Sequence, residues 1–349
     1  MKQAALDAIA LSVRSLSMDG VQAANSGHPG LPMGCAELGA LLYGEILAHN
    51  PADPQWPNRD RFVLSAGHGS MLLYALLYLT GYDLPLAELK NFRQIGSRTP
   101  GHPEYGHTPG VETTTGPLGQ GIGNAVGLAI GERMSAGIYN TDKHTIVDHY
   151  TYVLAGDGDM MEGIASEACS LAGHLGLGRL IVYYDDNDIS IDGSTDITFT
   201  ENVGARFEAY GWHVQHADGY DGEAILAATR KARAVTDKPS IIVLRTVIGK
   251  GSPNKAGTSG VHGAALGEEE IVLTRKNLGM GESDAFFVHP DAAAYFEEHR
   301  KTLVERYGNW QETFSAWKAA NPPLARRWEM ARKPGAEQVA GVALPDFPI

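Results

Sequence analysis

Two polar segments in the middle of the chain have residue types and spacing that suit a metal site. Asp157 lies between Gly156 and Gly158, directly after an apolar run, and the glycines allow a sharp backbone bend that lets the carboxylate face a ligand. A carboxylate facing an anionic ligand needs a divalent cation between them. Asn187, after the next apolar run, adds an amide oxygen. With a backbone carbonyl and phosphate oxygens, these groups form the oxygen-rich shell that Mg²⁺ or Ca²⁺ prefers.

Each segment also has an ordinary structural interpretation. An isolated Gly-Asp-Gly is often a turn, and an acidic run such as that at 185–188 is often a solvated loop or a helix cap. The positions of the two segments favour the metal site. Both follow predicted strands, and the carboxyl ends of parallel strands meet at one edge of a sheet.

Several histidines lie next to glycine or proline in predicted loops. They include His28, His68 and His102. An imidazole can donate a hydrogen bond to a hydroxyl or phosphate oxygen and can transfer protons near neutral pH, so these three are candidates for binding or catalysis. The histidines to which we assign structural roles are His49, His144, His149, His174 and His213.

Strand-like and helical segments alternate along the chain, which is typical of a parallel sheet with crossover helices. The predicted strands are Phe62–Ala66, Tyr150–Ala155, Leu180–Asp185, Trp212–Ala217 and Ser240–Val247. The predicted helices are an amphipathic opening helix, Met33–Leu47, Met71–Leu79, Ile122–Met134, Met161–Leu175, Gly222–Ala234 and Pro290–Ala320. We therefore predict the α/β class, with a doubly wound, mostly parallel sheet and helices on both faces.

Composition limits the classes of partner. The 349 residues carry a net charge of −13, which argues against nucleic acid or an anionic membrane as the main partner, and no apolar stretch is long enough to span a bilayer. Cys35 and Cys169 lack the spacing of metal ligands. We interpret them as free buried thiols of a cytoplasmic protein.

Several short motifs occur in an order that resembles the transketolase family. They are Ser26-Gly27-His28-Pro29-Gly30, Ser65-Ala66-Gly67-His68-Gly69-Ser70, Gly101-His102-Pro103-Glu104, Thr115-Gly116-Pro117-Leu118-Gly119-Gln120-Gly121, and Gly156-Asp157-Gly158 with Asp186-Asn187. The last pair is similar to the signature of thiamine diphosphate enzymes. The resemblance implies the thiamine-diphosphate-binding fold, with residues 1–320 as its diphosphate- and metal-binding domain.

The resemblance also implies roles for individual residues, with thiamine diphosphate as cofactor and Mg²⁺ or Ca²⁺ as metal. The implied metal ligands are Asp157, Asn187 and the carbonyl of Ile189. The implied cofactor-binding residues are His68, Gly116, Leu118, Gly158, Asn187 and Glu162, the last of these at a subunit interface. The implied catalytic residues, which would point into the substrate channel, are His28, His102 and His262.

The activity implied by the resemblance is transfer of a two-carbon ketol unit from a ketose phosphate to an aldose phosphate, in the pentose phosphate pathway and in a homodimer. Nothing in 1–349 resembles the family's pyrimidine-binding domain or its sugar-phosphate arginines. We therefore expect activity to need a second half, in cis or as a separate chain. Residues 321–349 are expected to be an inter-domain linker, which favours a truncated single chain over a split enzyme.

The sequence leaves several alternative functions open, and it departs from the family's pattern at one position. The chain could resemble a dihydroxyacetone synthase, a non-catalytic thiamine-diphosphate-binding subunit, or another metal- or nucleotide-binding α/β protein. Gly119, Gly121 and Gly123 do not complete a dinucleotide motif, because Val126 occupies the position of its last glycine. In the loop at 249–267, Ser259 replaces a histidine that many transketolases carry, which leaves one phosphate contact or the ordering of the loop in doubt.

Overall fold

The structure is a computed structural model, and it describes residues 1–281 and 283–333. Within these ranges five strands form one parallel sheet in the order β1-β2-β3-β5-β4. The strands are β1 Arg61–Leu64, β2 Thr151–Gly156, β3 Leu180–Asp186, β4 His213–Asp218 and β5 Ser240–Arg245. Each matches one predicted strand to within two residues at either end, so the predicted α/β class and parallel sheet are confirmed.

The helices surround this sheet. They are α1 Gln3–Ala24, α2 Gly30–Gly34, α3 Ala36–Leu41, α4 Ser70–Thr80, α5 Leu86–Lys90, α6 Gln120–Tyr139, α7 Asp157–Met161, α8 Gly163–Leu175, α9 Val203–Ala209, α10 Gly222–Ala234, α11 Glu268–Asn277, α12 Pro290–Ala320 and α13 Pro322–Ala331. The bounds of α10 and α12 coincide with the prediction. In the part of the chain that the structure describes, no helix has the length and apolar character needed to cross a bilayer.

Helices pack on both faces of the sheet because side chains alternate along each buried strand. On β3, Ile181 and Tyr183 face a core built with α1, α3 and α4. Val182 and Tyr184 face a second core built with α6 and α8. Consecutive residues at the carboxyl end of β3 therefore reach opposite faces of the sheet.

The predicted single helix over Met33–Leu47 is wrong, because the structure divides it. Helix α2 ends at Gly34, Cys35 has φ −104° and ψ 18°, and a π-helical turn, Leu42–Ile46, follows α3. A Cβ added at Gly34 would lie 3.0 Å from the carbonyl oxygen of Val247. The loop after β5 thus packs against the chain where the helix breaks, and this long-range contact leaves no periodic signal in the sequence.

The last described residues form a helix that docks on α6. The indole of Trp317 in α12 is fully buried and donates to the carbonyl of Tyr139 at 2.8 Å. Trp328 in α13 packs edge-on against the Tyr139 ring, with centroids 4.9 Å apart. Part of the predicted linker at 321–349 is therefore helical, and its remainder, from residue 334, lies outside the described residues.

Candidate functional site

Asp157 begins α7 at the carboxyl end of β2, and its buried carboxylate has one satisfied and one unsatisfied oxygen. Oδ1 accepts a hydrogen bond of 2.5 Å from the Tyr184 hydroxyl. Oδ2 is buried and has no hydrogen-bond partner among the described residues. Burial raises the pKa of Asp157 to about 7, although the bond from Tyr184 opposes that shift. A buried carboxylate oxygen without a donor is costly unless a ligand satisfies it, and a cation would do so.

Asn187 follows β3, and its side-chain amide has a fixed orientation. Nδ2 donates to Oδ2 of Asp185 at 2.8 Å, and Oδ1 accepts from the backbone N–H of Ile189 at 3.0 Å. An ionised carboxylate can only accept, so the amide nitrogen must face Asp185 and the amide oxygen must face away from it. Asp188, between Asn187 and Ile189, has a φ of 61°, which turns the chain back towards the site.

Several carboxylates lie close to Asp157 and Asn187. Asp185 and Asp186 both have a raised pKa, mainly because of burial, and Arg245 pairs with Asp186 and Asp188. Across 1–281 and 283–333, no three His, Cys, Asp or Glu side chains are arranged to hold a metal by themselves. A metal here would need the Asn187 amide, a backbone carbonyl and oxygens of its ligand.

Asp159 connects three loops of the site, and sequence analysis missed it. Its fully buried carboxylate accepts from Ser65 Oγ and Gly119 N, both at 2.7 Å, and from Gly156 N at 3.0 Å. Burial raises the pKa of Asp159, while the three donated hydrogen bonds oppose the shift. The Gly-Asp-Gly-Asp run includes Asp159, but the sequence holds no sign of the partners that distinguish it from Asp157.

The predicted cofactor-binding residues Gly116, Leu118 and Gly158 lie together beside Asp157. A Cβ added at Gly158 would lie 2.7 Å from Leu118 Cδ1, and one at Gly116 would lie 3.2 Å from the His102 ring. Gly116 also has a φ of 147°, a region that strongly favours glycine. Side chains of Leu118 and His102 therefore pack directly against Gly158 and Gly116, and both glycines remain partly exposed.

The four predicted site histidines converge into one cluster. The ring of His28 lies 5.0 Å from that of His68, 6.4 Å from that of His102 and 5.6 Å from that of His262. The rings of His68 and His262 are stacked, with centroids 5.1 Å apart. Nδ1 of His28 and Nδ1 of His262 are buried and lack a hydrogen-bond partner among the described residues.

Burial keeps these imidazoles neutral near pH 7. It lowers the pKa of His28 to about 4, with further contributions from His262 and Arg93. It also lowers the pKa of His68, His102 and His262. Neutral imidazoles can both donate and accept hydrogen bonds, which suits contacts with hydroxyl groups.

Arg93 is a second residue that sequence analysis missed. Its Nη1 donates to Ser26 Oγ at 2.8 Å, and its positive charge helps to lower the pKa of His28 and His102. Its backbone has a φ of 61°, which is uncommon for a residue with a long side chain. No glycine or proline motif adjoins Arg93, so nothing in the sequence pointed to it.

The loop at 249–267 closes over the histidines. Its Gly249 N–H donates to the carbonyl of Gly30 at 2.9 Å, which ties the loop to the segment that carries His28. Ser259 begins a 3₁₀ turn, and its carbonyl accepts from the N–H of His262 at 3.0 Å. Ser259 therefore shapes the turn that presents His262.

Glu162 lies between two helices, close to the loop that carries Leu118. It is extended, with φ −79° and ψ 140°, and it separates α7 from α8, so the predicted start of this helix at Met161 is corrected to Gly163. The Glu162 side chain is exposed, and its Cβ packs against Gly119. Nearby Ile164 and Leu171 of α8 are exposed apolar residues, at 43% and 47%.

Comparison with known proteins first defines the class of this domain. Residues 5–335 match the family described as "Transketolase, thiamine diphosphate binding domain". The structure of the transketolase from Leishmania mexicana superposes with a TM-score of 0.91 at 46% identity, over 94% of this chain and 51% of that one. The structure of the Campylobacter jejuni transketolase gives a TM-score of 0.92 at 43% identity, over 99% of this chain and 53% of that one. The fold is that of a thiamine diphosphate binding domain.

Curated relatives then identify the family. The transketolase of Treponema pallidum is 54% identical over 350 residues, which cover 99% of this chain and 53% of that protein. Transketolase 2 of Escherichia coli is 58% identical over 321 residues, which cover 92% of this chain and 48% of that protein. The chain belongs to the transketolase family, in which it corresponds to the N-terminal portion. It spans about half the length of the curated relatives it matches.

Proposed function

We propose that this chain supplies the diphosphate- and metal-binding half of a transketolase active site. It would bind thiamine diphosphate with Mg²⁺ or Ca²⁺ and, joined to a second half, transfer a two-carbon ketol unit from a ketose phosphate to an aldose phosphate. The observation that carries the proposal is the buried, unsatisfied Oδ2 of Asp157 beside Gly158. A buried carboxylate oxygen without a donor, beside the partly exposed Gly158, suits a cation held between protein and diphosphate.

The residues present fit this group. Asp157 Oδ2, Asn187 Oδ1 and the Ile189 carbonyl would hold the metal, and Mg²⁺ completes its shell with waters and phosphate oxygens. The implied contacts to the cofactor come from His68, Gly116, Leu118 and Gly158, with Asn187 reaching both metal and cofactor. Thiamine diphosphate supplies, when bound, the stabilised carbon nucleophile of the reaction.

The histidines would act on the sugar. His28, His102 and His262 are neutral near pH 7 because burial lowers their pKa. They could therefore donate hydrogen bonds to substrate hydroxyls and accept protons from them. The unpartnered Nδ1 atoms of His28 and His262, counted over the described residues, are available for this. The complete cluster favours an enzyme over a non-catalytic cofactor-binding subunit.

The second half of the site would come from a pyrimidine-binding domain, in cis or on a separate chain. Glu162, with the exposed Ile164 and Leu171, would lie at an interface of a homodimer. We assign residues 1–320 to the diphosphate-binding domain and 321–349 to the connection with the second half, in a cytoplasmic protein of the pentose phosphate pathway. The purified chain alone is expected to show no ketol transfer from xylulose 5-phosphate to ribose 5-phosphate, and turnover without a second half would contradict this division.

Calorimetric titration tests the cofactor site. Thiamine diphosphate is titrated into the chain with MgCl₂ or with EDTA, and the titrations are repeated with Asp157→Asn. A matched control is Asp192→Asn, an exposed carboxylate in the loop after Asn187. We expect metal-dependent binding by the wild type and the control, and at least a tenfold loss in Asp157→Asn, because an amide is a weaker metal ligand than a carboxylate. Binding that persists in EDTA or in Asp157→Asn would refute the proposed metal site.

A further inference from the structure

Two consecutive residues of β3 contact the two side chains to which the metal is assigned. Tyr184 and Asp185 are 4% and 1% exposed, and they project to opposite faces of the sheet because side chains alternate along a strand. Tyr184 lies in the core shared with α6 and α8, whereas Asp185 faces Cys35, between α2 and α3. From these two faces they reach Asp157 and Asn187.

The Tyr184 hydroxyl selects which oxygen of Asp157 can bind a ligand. It donates to Oδ1 at 2.5 Å, a short contact that is typical of a hydrogen bond to a carboxylate. One oxygen is thereby occupied and the carboxylate plane is fixed. Oδ2 is left buried and without a hydrogen-bond partner in the described part of the chain.

Asp185 selects which end of the Asn187 amide can bind a ligand. Its Oδ2 accepts from Asn187 Nδ2 at 2.8 Å, and its Oδ1 accepts from the hydroxyl of Thr246. The Cys35 thiol donates to the same carboxylate. Both oxygens of Asp185 are therefore engaged, so it cannot rotate towards a metal without breaking these bonds. Its remaining effect is on the orientation of Asn187, whose Oδ1 is directed away.

We propose that Tyr184 and Asp185 are positioning residues that orient Asp157 and Asn187 and thereby favour Mg²⁺ over Ca²⁺. This inference rests on the proposed function, in which Asp157 and Asn187 are the metal ligands. Mg²⁺ demands near-ideal octahedral geometry, whereas Ca²⁺ tolerates flexible and irregular shells. Ligands that can rotate should therefore lose affinity for Mg²⁺ more than for Ca²⁺.

The test measures thiamine diphosphate affinity as a function of MgCl₂ and of CaCl₂ in Tyr184→Phe and Asp185→Asn. Tyr184→Phe removes one oxygen, and Asp185→Asn places an amide against the donors of Asn187 and Thr246. We expect each variant to weaken Mg²⁺-dependent binding about 10- to 100-fold, the usual effect of removing a residue that orients a metal ligand. The loss with Ca²⁺ should be several-fold smaller.

Two matched controls separate positioning from general destabilisation. Tyr183→Phe removes a buried hydroxyl from the same strand, where it bonds to Thr229 at 2.8 Å on the face away from Tyr184. Asp60→Asn alters a buried carboxylate that accepts two backbone N–H bonds before β1. Both controls should bind cofactor with either metal as the wild type does, and thermal unfolding without metal shows whether each variant is folded.

The outcomes distinguish this inference from the proposed function. A wild type without metal-dependent binding, both alone and after addition of the second half, overturns both. A wild type with metal-dependent binding, and both variants equal to it, overturns the positioning role alone. Equal losses with Mg²⁺ and Ca²⁺ also overturn it, because loss of orientation must affect the metal with the stricter geometry more. Selective loss of Mg²⁺ binding by Tyr184→Phe or Asp185→Asn, with unaffected controls, supports it.

Discussion

Removing the Asp159 carboxylate is expected to damage folding and cofactor binding together. This buried side chain joins the loops that carry three site residues. Its partner Ser65 precedes His68, its partner Gly119 follows Leu118, and its partner Gly156 precedes Asp157. The loops come from distant parts of the sequence, so their relative positions depend on this one carboxylate.

The expected loss in the free energy of unfolding follows from the hydrogen-bond donors that lose their acceptor. Asp159→Ala leaves one hydroxyl and two backbone N–H groups without an acceptor at a fully buried position. Each unsatisfied buried donor costs about 1–3 kcal/mol, so the loss in the free energy of unfolding should be roughly 3–9 kcal/mol, reduced where water enters the space. Asp159→Asn keeps one acceptor oxygen and turns an amide N–H₂ towards another donor, for about 2–3 kcal/mol. A typical domain has only about 5–15 kcal/mol of stability.

Urea unfolding of the wild type and both variants measures these losses, and calorimetry measures Mg²⁺-dependent binding of thiamine diphosphate. The matched control is again Asp60→Asn, which should lower stability without changing cofactor affinity, because Asp60 lies at the opposite end of the sheet. Unchanged unfolding in Asp159→Ala would show that the three donors find other acceptors. Reduced stability with wild-type cofactor affinity would refute the role of Asp159 in positioning the loops.

Two further predictions concern stability. Burial lowers the pKa of His49 to about 4, below its value in the unfolded chain, so the stability that His49 contributes is present above pH 6.5 and is lost as pH falls towards 4. The difference in unfolding free energy between wild type and His49→Gln should therefore shrink by about 2 kcal/mol between pH 7 and pH 5. A constant difference would contradict a neutral buried His49. Gly173→Ala should cost about 3 kcal/mol, because its Cβ would lie 1.9 Å from the Tyr210 carbonyl oxygen. Gly127→Ala, at an exposed position of α6 where nothing lies within 4 Å, should instead stabilise by about 0.5–1 kcal/mol. Similar effects at both positions in urea unfolding would contradict this contrast.

The central strands β2, β3 and β5 were predictable because they are almost completely buried and therefore form continuous apolar runs in the sequence. The edge strand β4 is partly exposed and has no such run. The grouping of Asp157 with Asn187 followed from the same topology, since β2 and β3 are neighbours and both residues follow their carboxyl ends. The division of the helix at Cys35 was not predictable. It depends on the approach of Val247 to Gly34, a contact between residues more than two hundred positions apart.

The roles of the residues that connect and orient the site could not be predicted from the sequence either. Asp157 and Asp159 are two positions apart and chemically identical, yet one carboxylate has an unsatisfied oxygen and the other accepts three hydrogen bonds. Their difference is set by Ser65 and Gly119, which are far away in the chain. In the sequence, Tyr184 looks like any other residue of a buried strand. Only the folded structure places its hydroxyl against Asp157. The roles assigned to the ligands and histidines stay predictions.

The charges around the proposed metal residues and the histidine cluster support the need for a cation. At one end, Asp185, Asp186 and Asp188 lie near Asp157, and Arg245 pairs with Asp186 and Asp188. An unaccompanied diphosphate would add further negative charge to this partly buried acidic region. At the other end the imidazoles are neutral and Arg93 is positive, so an anionic or hydroxyl-bearing group can approach without repulsion. In the proposed function, a divalent cation between the diphosphate and the acidic end would offset this repulsion. We therefore expect metal dependence from the charge distribution as well as from the proposed ligand set.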